Sequence, residues 1–475
     1  LRVQFATAAG GVSGVGGIDL GVLTGAVPPQ VVDQVIEVAG CRERRRRLLP
    51  ARVVVYVVLG MALCHGGDGF APPGYQAVMR VLAGAGVRVA SAAALCLARK
   101  RLGSIVFALL FEWVSGQGCA GDAGAVRVFG RRVVAWDATE IGVPDTPDNA
   151  ADFGYPGQVS RPAAASPHHR LGSTPRLRLM TLTDTASHTV IDACFDASTK
   201  ASEQQLARGL IASLRPGMLL LADRNFLGFD LWSLAVATGA DLLWRAKSNR
   251  VFTPLTRLGD GSFLTLMPTP AETRRTGVAR RTGLSTHTPR HGLVVRVIEY
   301  TITITATDGT TRTEAYRLVT TLLDAAHAPA EQLAACYHQR WEAETGYSLL
   351  KPRLIGTGAI LRSRTPEGIT QEIYAFLIVY QLLCQLRTEA ASAAGCPPAA
   401  ISFLVTLRAA RAAIGHPHPH DQLIADILAA PKLKRRNRIS PRQTRPRQTK
   451  YHTKNRDTPA STHVTYNINI QPRAA

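Results

Sequence analysis

Between residues 131 and 247 the chain falls into short apolar runs that stop at an acid or a turn, and this order most restricts its fold. Strand-like VVAWD (133–137) comes first. A polar, Pro/Gly-rich stretch to about 176 follows, and then RLRLMTLTD (176–184) and HTVIDACFD (188–196), two alternating segments that read as a hairpin. SEQQLARGLIASL (202–214) is helical, with Ser202 as its N-cap. MLLLAD (218–223) is the next strand, a helix covers about 228–238, and DLLWRAK (241–247) closes the run.

The order β-β-β-α-β-α-β matches an α/β fold with a ribonuclease H-like mixed sheet carrying helices on its faces. In that sheet the strands ending at Asp137 and Asp223 lie side by side. Residues 248–325 alternate apolar and polar, with Asp308-Gly309 as a hairpin signal, and read as an antiparallel β insertion rather than more of the core. Helical character returns at about 329 and runs to about 428, with TPEG (365–368) opening a long apolar helix polar enough to be packed core. Before the sheet, Pro28 and Pro29, Pro50, and the stretch 75–115 mark an all-α region. The expected division is a loose N-terminus (1–25), a helical DNA-binding domain (26–125), a catalytic domain (126–360), C-terminal helices (361–430) and a basic, disordered tail (431–475).

Charge narrows the partner. Lys and Arg number 55 against 34 Asp and Glu, a net +21, and residues 431–475 hold +11 of it, with Asp457 their one acid. Such an arm reads as a nucleic-acid-binding segment or as a solvated tail without a specific role. Arg42, Arg44, Arg45, Arg46 and Arg47 form a second basic cluster, read equally as a DNA contact or an exposed helix end. Eight cysteines without a CxxC or zinc spacing point to a reducing cytoplasm. No signal peptide is expected, and the apolar run 53–64 is too short for a membrane span of about 20 residues. Leu1 opens the chain, so the start of translation can lie elsewhere. No phosphate-cradling GxxxxGK[ST] is present, which argues against an ATP-driven machine.

Three acids stand out. Asp137 and Asp223 end strands expected to be adjacent, whereas a single such Asp would be read as a turn or helix cap. Glu344 lies in YHQRWEAETGYSLLK (337–351). At 100° per residue from Tyr337, Arg340 falls at about 300°, Glu344 at about 340° and Lys351 at about 320°, a stripe roughly 60° wide. That stripe is either aimed at a shared polar target or a salt-bridged exposed face. Two Asp and one Glu are the hard oxygen donors that two-metal phosphodiester cleavage requires. Arg340 and Lys351 suit neighbouring phosphates, and Tyr337 suits a phosphate or a base. Glu342 points away from Glu344 on the same helix. Glu140 is a further acid near these three, Asp145, Asp148 and Asp152 in the Pro-rich loop read as turn or cap residues, and His416, His418 and His420 (HPHPH) as an extended loop.

The spacing Tyr-x2-Arg-x3-Glu-x6-Lys at Tyr337, Arg340, Glu344 and Lys351, with Trp341 after the Arg, resembles the YREK signature of DDE transposases of the insertion-element-four type. ADRNF (222–226) resembles the block around that family's second Asp, and WDATEIGVPDTPDNAADFG (136–154) the block around its first. Residues of about 15–115 resemble its N-terminal domain. The resemblance reaches about 415, and the tail matches no family block. Asn225 departs from a frequent Gly, a position where Asn still tolerates left-handed angles.

The resemblance implies Asp137, Asp223 and Glu344 as catalytic metal ligands for two Mg²⁺ ions, with Mn²⁺ able to substitute. Tyr337, Arg340, Lys351 and Trp341 would contact DNA. The β insertion would help to place the DNA end, with Trp244 as a stacking candidate unless it is buried in the core. The expected activity is cut-and-paste transposition at terminal inverted repeats of double-stranded DNA. A homodimer would hold two ends beside target DNA, in the bacterial cytoplasm at the nucleoid and with no membrane role. Two alternatives stay open: a ribonuclease H-like nuclease without strand transfer, and an inactive DNA-binding relic.

Overall fold

The computed structural model describes residues 22–43, 45, 49–65, 75, 78–79, 83, 89–120, 127–156, 174–281, 290–305, 311–356, 358–414, 418–433 and 465–470. The chain forms two compact units. The first takes Leu1–Val126, Val134–Ser213 and Trp341–Leu433, and the second Arg127–Val133, Leu214–Arg340 and Lys434–Ala475.

Eleven strands are described: β1 (Arg127–Val128), β2 (Arg131–Gly142), β3 (Arg176–Asp184), β4 (Val190–Ala197), β5 (Met218–Ala222), β6 (Asp241–Arg245), β7 (Thr256–Arg257), β8 (Phe263–Pro268), β9 (Gly292–Thr305), β10 (Thr311–Thr320) and β11 (Thr465–Ile470). In the first unit β2, β3 and β4 form an antiparallel meander in which Asp137 faces Thr181 across the pair. In the second unit the beginning of β2 continues beside β5, where the Arg132 N–H donates to the Gly217 carbonyl at 2.8 Å. β5 runs parallel to β6. The strand order is β4-β3-β2-β5-β6-β10-β9-β8-β7. The α/β class is as expected: β4, β3 and β2 neighbour one another in the first unit, and β5 and β6 in the second.

Helix boundaries follow local chemistry. Ser202 caps the Glu203–Leu210 helix, and Gln205 returns a bond to the Ser202 N–H, a reciprocal capping box. Thr365 accepts from the Gly368 N–H and Pro366 opens the Pro366–Ala393 helix, as the TPEG pattern implies. That helix is long and apolar enough to cross a membrane, yet 78% of its most apolar window is buried. It packs against the Ala51–Leu63 and Ile105–Ala120 helices and forms the centre of the first unit's core. The expected helical stretch 75–115 is interrupted at Gly103, whose φ of 71° separates Ala92–Leu102 from Ile105–Ala120. Cys41, Cys64, Cys96, Cys194, Cys336, Cys384 and Cys396 are free thiols.

Three expectations change. The β insertion is not separate from the core sheet. β10 pairs antiparallel with β6 through Leu318, Val319 and Thr320, so the insertion extends the sheet from its last core strand. It also holds a helix, Pro270–Arg281, between β8 and β9. The Asp308-Gly309 turn lies outside the described residues, but β9 and β10 flank it as an antiparallel pair. Finally, the tail expected to be disordered contributes β11, which pairs antiparallel with β9. The expected loose residues 1–21 and three of the clustered arginines (Arg44, Arg46, Arg47) lie outside the described residues.

Arg296 ties the insertion to the segment that follows it. This β9 side chain is 0% exposed. Its Nε donates to Ser262 Oγ at 2.8 Å, and Nη1 donates to the carbonyls of Leu322 (3.2 Å), Asp324 (3.3 Å) and Ala328 (2.7 Å). Its Nη2 donates to the Asp260 carboxylate, which also accepts the Ala330 N–H at 2.8 Å, at the start of the Ala330–Tyr337 helix. A planar guanidinium with five donors can satisfy this many acceptors. Replacing it leaves a half-buried carboxylate and three carbonyls without it. Arg296→Met should therefore cost about 3 kcal/mol of folding stability, read as a lower urea midpoint by tryptophan fluorescence.

Candidate active site

Asp137 lies on β2 in the first unit, half-buried, with its Oδ1 accepting the Ala138 N–H at 2.9 Å. Glu344, also half-buried, sits in the first turn of the Trp341–Leu349 helix, where the helix dipole favours an acid. One turn later Tyr347 donates its hydroxyl to the Asp137 carbonyl. The same hydroxyl accepts the Thr181 N–H at 3.2 Å and lies 2.9 Å from Thr181 Oγ1. Lys351 fastens the end of the segment, its Nζ donating to Thr139 Oγ1 at 3.0 Å and to the Glu140 carbonyl at 2.7 Å. Burial lowers the Lys351 pKa and nearby Arg176 adds to this, while Glu140 opposes both. Glu140 itself pairs with Arg178 at 3.0 Å and Arg176 at 3.4 Å.

The start of the helix is held by His188, buried in the β3–β4 turn. Its Nε2 lies 2.7 Å from the Glu342 carboxylate and its Nδ1 3.4 Å from Arg387 Nη1. Arg donates only, so Nδ1 accepts and Nε2 carries the hydrogen toward Glu342. Glu342, which the helical wheel turned away from Glu344, thus has a structural partner. Of the remaining acids, Asp145 accepts from Tyr155, Asp148 lies in the first turn of the Pro147–Phe153 helix, and Asp152 pairs with Lys200 at 2.9 Å.

Asp223 lies in the second unit, directly after β5 and half-buried. The Arg224 N–H donates to its Oδ1 at 2.6 Å, and the Phe226 N–H donates to its carbonyl at 3.1 Å, closing the turn. Asn225 is not among the residues with positive φ, so this turn forms without the left-handed angle that a Gly would serve.

The 337–351 block is not one helix. An α-helix ends at Tyr337, a 3-10 turn covers His338–Arg340, Trp341–Leu349 is helical again, and Leu350–Ile355 is a π-helix. The tighter 3-10 turn breaks the 100° phase on which the single 60° stripe was built. Tyr337 and Arg340 belong to the second unit, Glu344 and Lys351 to the first. Tyr337, expected to contact DNA, is only 3% exposed, and its hydroxyl donates to the Ala222 carbonyl at 3.3 Å, next to Asp223. Burial raises its pKa above the ordinary phenol value, Arg340 opposes and Asp223 reinforces the rise, so it stays a donor. Arg340 is 7% exposed, whereas Trp341 is 42% exposed. Trp244 is fully buried against Trp232, the packing role rather than the stacking one.

Two further features bear on the expected ligands. Among the described residues no group of three or more His, Cys, Asp or Glu side chains is arranged to hold a metal ion. His418 and His420 each pair with a carboxylate, Asp426 and Glu389, and His416 lies outside the described residues. Residues that sequence reasoning missed are Tyr347, Thr181 and His188, all acting through hydrogen bonds that no linear motif marks.

His338 sits beside Tyr300, Tyr316 and Tyr337, with no hydrogen-bond partner for its buried Nε2. Burial, reinforced by the Arg245 and Arg340 charges, lowers its pKa from 6.5 to about 4. Between these values the unfolded chain binds a proton that the folded chain refuses. This contribution is complete above pH 6.5 and is lost as pH falls toward 4. His338→Gln should flatten that loss by an amount on the order of 3 kcal/mol, measured as urea stability near pH 7 and near pH 4. His65 in the first unit, lowered to about 4 mainly by burial, would leave a residual slope.

Comparison with known proteins gives matches along most of the chain. Residues 17–112 match the family described as insertion element 4 transposase N-terminal, and residues 128–382 the family described as transposase DDE domain. Over 448 residues the chain is 27% identical to transposase InsG for insertion sequence element IS4 of Escherichia coli, covering 90% of this chain and 92% of that protein. Among solved structures it is similar to the piggyBac transposase in a synaptic complex with hairpin DNA. The TM-score is 0.41 at 10% identity, covering 88% of this chain and 83% of that one.

Proposed function

The chain belongs to the DDE transposases of the insertion-element-four type, and from that premise we propose that it moves its own element by cut-and-paste transposition. As a DNA transposase of a metal-dependent family it requires divalent ions. Asp137, Asp223 and Glu344 would hold Mg²⁺, with Mn²⁺ able to replace it, because three carboxylates offer only hard oxygen donors. When bound, such ions activate an attacking oxygen and stabilise the leaving oxygen of an in-line displacement. The observation that carries this reading is the attachment of the Glu344 helix to the Asp137 strand through Tyr347 and Lys351.

The chain's own groups divide the work. Tyr337 supports the end of β5 through its hydroxyl bond to the Ala222 carbonyl. Arg340 and Lys351 would bring positive charge to the reacting phosphates, and Trp341, 42% exposed, would offer its ring to an unpaired base. The β insertion would position the DNA end, and the helical N-terminal region would bind the terminal repeats. Two ends handled together imply a homodimer. The basic residues of 431–475 would add contacts to the backbone, making binding strongly salt-dependent.

Cleavage and joining of a duplex bearing the element's terminal repeat test this reading. Wild-type protein with Mg²⁺ should cut at the repeat boundary and join the freed 3′ end to target DNA. EDTA or Glu344→Gln should reduce cutting by at least about a hundredfold. Cutting without joined products would favour a nuclease that lacks strand transfer. Binding without cutting by the wild type would mark an inactive DNA-binding copy.

A further inference from the structure

We propose that Tyr347 is the positioning residue that sets where Glu344 stands over the strand bearing Asp137, a role that rests on the carboxylate assignment above. Its hydroxyl meets three groups of one β2–β3 register pair. It donates to the Asp137 carbonyl, accepts the Thr181 N–H at 3.2 Å, and lies 2.9 Å from Thr181 Oγ1. A phenol has one hydrogen to give. That hydrogen goes to the carbonyl, so the Thr181 hydroxyl must donate to Tyr347. Thr181 Oγ1 is then left to accept from Thr183 Oγ1, 3.0 Å away. The direction of every bond in the chain Thr183–Thr181–Tyr347–Asp137 follows.

The placement is held by packing as well: Tyr347 is 8% exposed. Glu344 precedes Tyr347 by three residues, one helical turn, or a rise of about 4.5 Å. Sliding the helix by one residue would shift Glu344 by about 1.5 Å and break all the Tyr347 bonds. Misplacement of a reacting group by about 1 Å can cost roughly a hundredfold in rate. Phe at this position keeps the ring and removes only the bonds that set the register.

The test measures single-turnover cleavage at saturating terminal-repeat duplex, together with duplex affinity and thermal stability. Tyr347→Phe should slow cleavage by roughly ten- to a hundredfold while leaving the Kd for the duplex within about twofold. Thr181→Val should slow it less, Thr181→Ser should restore it, and the double variant Tyr347→Phe with Thr181→Val should be no slower than Tyr347→Phe alone. Glu344→Gln runs in parallel. If Glu344→Gln abolishes cleavage while Tyr347→Phe cuts at the wild-type rate, the positioning role is wrong and the carboxylate assignment stands. If Glu344→Gln cuts normally, the assignment itself fails. Loss of affinity, stability and rate in step in Tyr347→Phe would show a general packing role and overturn the proposal.

Discussion

Two tyrosine hydroxyls, each giving its single hydrogen to a backbone carbonyl, hold the segment on which the site depends. Tyr337 donates to Ala222, the residue before Asp223, and Tyr347 donates to Asp137 itself. Each bond lies within one unit, and Glu344 stands on the chain between the two tyrosines. A neutral phenol suits this task. An Arg or Lys there would pair with the carboxylate and compete with any cation it binds, whereas a phenol addresses the main chain and leaves the acid's charge in place. Burial raises both phenol pKa values, so neither tyrosine becomes an anion beside an aspartate.

The chain passes between units four residues before each of two acids. Val133 is the last residue of the second unit before Asp137, and Arg340 the last before Glu344. β2 is therefore a strand with two duties: its first residues pair in the second unit and the remainder in the first. The break at His338–Arg340 serves the same purpose on the helical side. A continuous helix would carry Tyr337 and Glu344 on one rigid rod with one phase. The 3-10 turn lets Tyr337 bury itself against the end of β5 while Glu344 takes its phase from Tyr347.

Much of this was legible in the residues. Alternation and the acids at strand ends predicted β2 to β6, because period-two burial leaves a direct trace in sequence. Ser202 and Thr365 announced their helices through capping chemistry. The wheel over 337–351 failed because it assumed one helical phase, and no residue in HQR marks a tighter turn. Tyr347 falls at about 280° on that same wheel, beside the stripe, and was passed over because its role depends on a strand two hundred residues earlier. In the tail, TYNINI does alternate, but the surrounding Lys and Arg made composition the louder signal.

The +21 of the chain is not all available to DNA. Arg296 is internal and neutralised by Asp260, Arg178 is paired with Glu140, and Arg317 with Glu299. These pairs hold strands in register and leave little net field. Pairs open to solvent, such as Arg42 with Glu37, contribute at most about 1 kcal/mol and release easily. The charge that can meet phosphate must come from residues whose partners are backbone carbonyls or water, since those give a cation hydrogen bonds without cancelling it. Lys351 is of that kind, with Thr139 Oγ1 and the Glu140 carbonyl as its acceptors. Its burial lowers the ammonium pKa, against the attraction of Glu140, and keeps its charge beside the strand that carries Asp137.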